Sequence, residues 1–301
     1  MSKIIYEIMH RENCVAQIST VGECKIYLED FMPYDLMLEE SNDFDKRIKN
    51  AMSFYSWCAS RIIPPDRTYA KEILNSIGAS QGVTDRERAQ IALSYHCLSL
   101  LDVFWVKEEN EKIRFEDINL FAHSLSNALV DIALRGHQMT VTNAHLLAND
   151  LSTGGLYPKA WVRKEDGFYL YKDGGRDAVE REVLASKICR CFDCHQVLYE
   201  QGMFENELVS ISKIMTSQRY SLVTYAAYDV YCTNHDWNTL DKILELDAPG
   251  YYMMNILDYL VGNTDRHWEN WGLLVDNETN QPIRLHDLMD FNLSLIHISE
   301  P

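Results

Sequence analysis

A polar block near the end of the chain constrains its fold most tightly. Gly262-Asn263-Thr264-Asp265-Arg266-His267-Trp268-Glu269-Asn270-Trp271-Gly272 follows the stretch Pro249 to Val261, which reads as a helix with Met253, Leu257 and Leu260 on one side. Leu273-Leu274-Val275 then reads as a strand, Asp276-Asn277-Glu278 as a turn, and Pro282 to His286 as a second strand leading into Asp287-Leu288-Met289-Asp290-Phe291-Asn292. The order is helix, polar loop, strand, turn, strand, acid.

That order has a chemical counterpart. In phosphoryl transfer an Asp orients the attacking hydroxyl, an Asn five residues on binds metal, and a second Asp, one hairpin away, chelates Mg²⁺ on the nucleotide phosphates. Asp265, Asn270 and Asp290 have that spacing, and oxygen ligands suit a hard cation that keeps some of its waters.

Composition removes other classes. At 301 residues, with 47% hydrophobic and 24% charged side chains, the chain is long enough to bury two cores, and it has neither disordered nor low-complexity character. Forty-five acidic against 28 basic residues leave a formal charge of -17, which opposes direct binding to nucleic acid, where phosphate neutralisation supplies most of the affinity. The eight cysteines do not resemble a disulfide framework. With no leader segment and no apolar run of about 18 residues, a cytoplasmic chain without a membrane span is expected.

Along the chain, Lys3 to His10, Val15 to Ser19 and Lys25 to Leu28 read as strands. Phe44, Ile48, Met52 and Tyr55 repeat at helical spacing until Pro64-Pro65, and are expected to face the core. A second helix is expected around Tyr69, Ile73 and Ile77, and a third opens on Thr84-Asp85-Arg86-Glu87, which has capping-box spacing. Phe115 to Arg135 reads as helix ending at Gly136. These elements make an accessory α+β domain over residues 1–145.

The pattern then changes. Leu151-Ser152-Thr153-Gly154-Gly155-Leu156-Tyr157-Pro158-Lys159-Ala160-Trp161-Val162 reads as a glycine turn feeding a strand, with Gly167 to Lys172 as its hairpin partner. Glu180 to Cys191 reads as a helix, Gln196 to Glu200 and Leu208 to Met215 as strands, and Ser217 to Asp236 as a connection followed by helical chain. Cys189-x-Cys191-x-x-Cys194-His195 suggests a zinc site, but it lacks a second ligand pair, and buried thiols are the simpler reading.

The segments Gly262 to Gly272 and Leu288 to Asn292 resemble the catalytic and metal loops of HipA-like serine/threonine kinases, bacterial enzymes with a protein-kinase-related fold, some of them toxins of toxin-antitoxin pairs. The resemblance covers residues 140–292 and implies an α+β, bilobal, protein-kinase-like domain over 146–292. Its nucleotide-binding lobe would span about 146–218 and its helical lobe about 219–292. It implies Asp265 as catalytic base, Asn270 and Asp290 as metal ligands, and ATP with Mg²⁺ as cofactors. The third residue of the metal motif is Asn292 where the standard kinase form has Gly.

The same resemblance makes Ser152, Thr153, Gly154, Gly155 and Lys159 a phosphate-cradling loop, and Lys172 the lysine that grips the α- and β-phosphates. Glu182 would hold Lys172, and Glu180 competes for that role on spacing alone. Ser152 matches the serine whose autophosphorylation inactivates the best-known HipA kinase. His267 is expected to organise its loop. The acceptor would be a protein serine or threonine, and a DNA-binding antitoxin partner fits the family.

Two rivals follow. Phosphatidylinositol kinases share Asp-Arg-His-x-x-Asn followed by Asp-Phe, although no basic amphipathic segment is present here to meet an anionic membrane. A catalytically inactive nucleotide-binding module would be free to lose Asp265, Asn270 or Asp290, and all three are present. Leu293 to Pro301 spells what a transposase sequencing adapter encodes when translated, so the native chain is expected to continue past Asn292.

Overall fold

The computed structural model describes residues 3–61, 84–123, 159–204 and 207–291. The chain divides into two compact units, Met1–Leu156 and Tyr157–Pro301.

The first unit is built on an antiparallel sheet of strands β1 (Ile5–His10), β2 (Asn13–Ser19), β3 (Cys24–Ile26) and β4 (Phe104–Glu108), in the order β3-β2-β1-β4. β1 and β2 bury Ile8, Val15, Ala16 and Ile18, and Trp105 of the neighbouring strand β4 is fully buried. Each such large side chain contributes about 1.5–3 kcal/mol of transfer free energy. Helix α1 (Phe44–Ser60) opens on Asp43, whose Oδ1 accepts the Lys46 N–H at 3.0 Å. Helix α2 (Asp85–Ser94) carries the expected capping box between Thr84 and Glu87.

Two expectations change here. The stripe on α1 lies on its outer face, with Phe44 73% and Met52 66% exposed, while Asn50, Phe54, Trp57 and Cys58 face inward. A helical period shows which residues share a face, and the partners of the face decide which one is buried. Of the helix expected from Phe115 to Arg135, the described residues hold Phe115–Ile118 (α3), after which the Asn119 amide bonds Phe115 O and Glu116 O; residues 124–135 lie outside the described residues. The helix expected around Tyr69 lies outside the described residues.

Just past α1, Arg61 ties the unit together. Its Nε donates to Cys97 O at 2.6 Å, and its Nη atoms reach Asp102 at 2.7 and 2.9 Å and Phe104 O at 3.1 Å, with the guanidinium over the Trp57 ring.

The second unit opens with the hairpin β5 (Lys159–Lys164) and β6 (Gly167–Lys172), followed by helix α4 (Arg176–Cys189), β7 (Tyr199–Phe204) and β8 (Glu207–Lys213). These strands form an antiparallel sheet in the order β5-β6-β8-β7, and α4 packs on β7 and β8. The strand expected at Gln196 begins at Tyr199, and Gln196 instead makes a single parallel bridge to Leu288. A second sheet, in the order β11-β10-β9, joins β9 (Tyr220–Thr224), β10 (Gly272–Asp276) and β11 (Gln281–Leu285). β9 falls where a connection was expected. Pro282, which has no N–H to donate, sits on edge strand β11 beside a break in register at Leu274/Val275.

Helices α5 (Tyr225–Asn234) and α6 (Thr239–Val261) complete the unit. α6 kinks at Asp247, where the backbone leaves helical angles. Asp247 Oδ1 caps the Gly250 N–H at 2.9 Å, and its Oδ2 accepts the Leu285 N–H of β11 at 3.0 Å. Gly262, at φ +62, ends α6 in the left-handed conformation that L-residues adopt at a cost, so the polar loop leaves the helix sharply.

Candidate active site

Lys172 ends strand β6, directly across from Ser210 of β8 and from Lys159 of β5. It is buried, and so is Glu182, nearly two turns into α4. Lys172 Nζ lies 2.8 Å from Glu182 Oε1, and the other carboxylate oxygen, Oε2, accepts the Ser210 hydroxyl at 2.5 Å. Glu180 points to the surface beside Arg176. Glu182 is therefore the residue that meets Lys172.

Lys172 makes a second ion pair, 2.9 Å to Asp290 Oδ1. Burial by itself would depress its ammonium, but Glu182 and then Asp290 reverse that and hold it well above the ordinary lysine range. The charge is thus permanent at any physiological pH. Asp290 adopts a left-handed backbone, φ +60, and its N–H donates to Tyr199 Oη at 3.0 Å. Phe291 follows, fully buried, edge-on to the Tyr199 ring and under the Arg266 guanidinium.

The polar loop is organised by its own amides. Asn263 Nδ2 donates to Asp258 Oδ1 at 2.9 Å, and Asn263 Oδ1 accepts the Asp265 N–H at 3.2 Å. Buried Asn270 donates through Nδ2 to Asp265 O at 2.8 Å, and His267 N donates to the same carbonyl. The ring of His267 accepts the Glu269 N–H through Nδ1, so this histidine orders the turn.

Arg266 joins the parts. Nε and Nη2 make a bidentate pair with Asp258 of α6, both at 2.9 Å. Nη1 donates to Asn270 O at 2.8 Å and to Met289 O at 2.7 Å. One guanidinium nitrogen thus holds the loop of Asp265 and Asn270 against the residue before Asp290, and Asp290 in turn reaches Lys172 and, through it, Glu182. A planar fork of donors suits this junction, and a lysine could not serve all three partners.

Of the expected site residues, Lys172, Glu182 and Asp290 meet directly, and Asp265 and Asn270 share the adjoining loop. Lys159 lies in β5, opposite Lys172. Ser152, Thr153, Gly154 and Gly155 lie outside the described residues. Arg266, Asp258, Ser210 and Tyr199 carry much of the geometry and were assigned no role above. Their only sequence signal is Arg266 inside the motif itself.

Among the described residues no group of three or more His, Cys, Asp or Glu side chains is placed to hold a metal ion. Cys189 is buried at the end of α4, Cys191 is exposed, and the Cys194 thiol turns back to Cys189 O at 3.6 Å. Nor is any described helix long and apolar enough to cross a membrane.

The fold is similar to that of HipA. No family model matches the chain, and no curated protein matches it. HipA of Shewanella oneidensis MR-1, solved with HipB and its operator DNA, is similar over 98% of this chain and 77% of its own, with a TM-score of 0.54 at 12% identity. The Helicobacter pylori proinflammatory kinase CtkA aligns with 49% of this chain at 19% identity and a TM-score of 0.41, and this chain spans 58% of its length.

Proposed function

We propose that the protein binds ATP with Mg²⁺ and transfers the γ-phosphoryl group to a serine or threonine of a protein substrate. The observation that carries this reading is the bridge made by Lys172 between Glu182 and Asp290, with Asp290 joined through Met289 O and Arg266 to the loop of Asp265 and Asn270.

The donor set fits such a cofactor. Asp290 and the carbonyl side of the Asn270 amide are hard oxygen donors, and one carboxylate with an amide suits Mg²⁺, which takes much of its coordination from waters and phosphates. Bound Mg²⁺ neutralises charge developing on the transferred group. Lys172 supplies a fixed positive charge toward the nucleotide phosphates, and Glu182, steadied by Ser210, keeps it extended. Asp265 orients the acceptor hydroxyl and takes its proton. The chain contributes position and charge rather than a covalent intermediate.

The HipA neighbour is found with HipB and operator DNA. A charge of -17 makes direct contact with DNA unfavourable here, so a DNA-binding partner would carry any operator recognition. Phosphate on Ser152 would add charge beside the nucleotide phosphates and oppose their binding, a route to self-inactivation.

Incubation with Mg²⁺ and γ-labelled ATP, with a protein extract in one arm and phosphatidylinositol vesicles in the other, tests the reading. Label on protein serine or threonine, lost in Asp265→Ala with circular dichroism unchanged, is the expected result. Label on lipid would favour the rival acceptor, and turnover retained in Asp265→Ala contradicts the assignment. Intact mass of the wild-type and Asp265→Ala proteins after expression tests Ser152, and equal phosphate content in the two removes self-modification.

A further inference from the structure

We infer that Tyr199 is a positioning residue for the metal-binding carboxylate: its hydroxyl fixes the backbone of Asp290 in the left-handed turn that presents the side chain to the cation. This deepens the phosphoryl-transfer reading and rests on it for the role of Asp290.

The chain reaches Asp290 along a short zipper. Val197 N donates to Leu288 O and Leu288 N to His195 O, both at 2.9 Å, so residues 195–197 and 288 run side by side in parallel. Two residues further on, both chains depart: residue 199 enters β7, and the other chain turns into αL at Asp290. Tyr199 is where they last meet, its Oη 3.0 Å from Asp290 N.

A non-glycine residue in αL costs about 1–2 kcal/mol and persists only where its surroundings over-determine it. The restraints around Asp290 are specific. Arg266 holds Met289 O on one side, Phe291 is buried edge-on to the Tyr199 ring on the other, and the Asp290 N–H ends on the Tyr199 hydroxyl. Tyr199 is itself pinned in the sheet opposite Ser212 and is buried. Its hydroxyl also feels Glu182, Lys172 and Asp290, and burial among them pushes its ionisation up, so it stays a neutral phenol. The ring and the hydroxyl have separable tasks: the ring packs Phe291, and the oxygen sets Asp290.

Tyr199→Phe separates them, since it keeps the ring and deletes the oxygen. In the ligand-free protein the Asp290 amide should exchange with solvent at least roughly tenfold faster in the variant, with the thermal midpoint little changed; unchanged exchange overturns the inference. Binding of a non-hydrolysable ATP analogue is then titrated by calorimetry with and without Mg²⁺. The Mg²⁺-dependent affinity should fall roughly five- to thirtyfold, the cost of an unrestrained αL residue, while Mg²⁺-free binding is unaltered. An equal loss with and without Mg²⁺, or no loss, also overturns it. Wild-type protein that binds no analogue even with Mg²⁺ overturns the kinase reading instead, and Asp290 exchange still decides whether Tyr199 sets that backbone.

Discussion

Arg266 holds both carboxylate oxygens of Asp258 at 2.9 Å, fastening the polar loop to the last full turn of α6. Both side chains are largely buried. Arg266→Ala would leave Asp258 without its counter-charge and free the carbonyls of Asn270 and Met289. Urea titration of the variant should show a loss of about 3–5 kcal/mol. Arg266→Lys should recover only part of it, because an ammonium cannot make the bidentate pair.

Lys172 and Glu182 should behave as a coupled pair. Lys172→Met buries two carboxylates without their cation, and Glu182→Gln leaves Lys172 with Asp290 alone. The two single variants and the double variant, compared by denaturant unfolding, should give a coupling of about 1–3 kcal/mol, with the double variant less destabilised than the sum. Additive effects would remove the pair from the description of the site.

The pH response of the first unit should come in part from His10. It is buried between the rings of Phe31 and Phe104, its Nε2 has no hydrogen-bond partner, and burial, reinforced by Arg11 and opposed by Asp102, lowers its pKa to about 4. The unfolded chain takes up a proton near pH 6.5 and the folded chain does not until about pH 4, so stability is complete above pH 6.5 and is lost as pH falls between these values. The loss should reach roughly 2–3 kcal/mol. Thermal midpoints from pH 7.5 to 4.5 should decline less steeply in His10→Leu, which keeps the aromatic packing without the ionisation.

Gly272, where β10 begins, should tolerate no side chain. A Cβ there would lie 2.1 Å from Val223 O and 2.7 Å from Thr224 Cα, backbone atoms of the paired strand β9. Gly272→Ala should therefore cost about 2–4 kcal/mol or leave the protein insoluble on expression. An unchanged thermal midpoint would mean that β9 and β10 are not so closely paired.

The residues that could be read in advance are those tied by short, fixed spacing. Asp265, Asn270 and Asp290 belong to a loop and hairpin whose lengths are set by turn geometry, so their order along the chain implies their neighbourhood in space. Lys172 was singled out by the family resemblance, which matches it to a lysine on the second strand of the hairpin. Glu180 and Glu182 could not be separated, because the choice depends on which way α4 rolls against β8, and that is settled by packing of Val179, Val183 and Ser186 rather than by spacing. The stripe of Phe44 and Met52 failed for the same reason. β9 was missed because a short strand such as Tyr220–Thr224 gains its identity from a partner some fifty residues later. Arg61 was invisible as a tie because its acceptors, Cys97, Asp102 and Phe104, lie far along the chain.

Glu182 spends one oxygen on Lys172 of β6 and the other on Ser210 of β8. A roll of α4 away from the sheet would strain both contacts, one to an ammonium on β6 and one to a hydroxyl on β8. One carboxylate thus ties helix α4 to two strands of the same sheet at once.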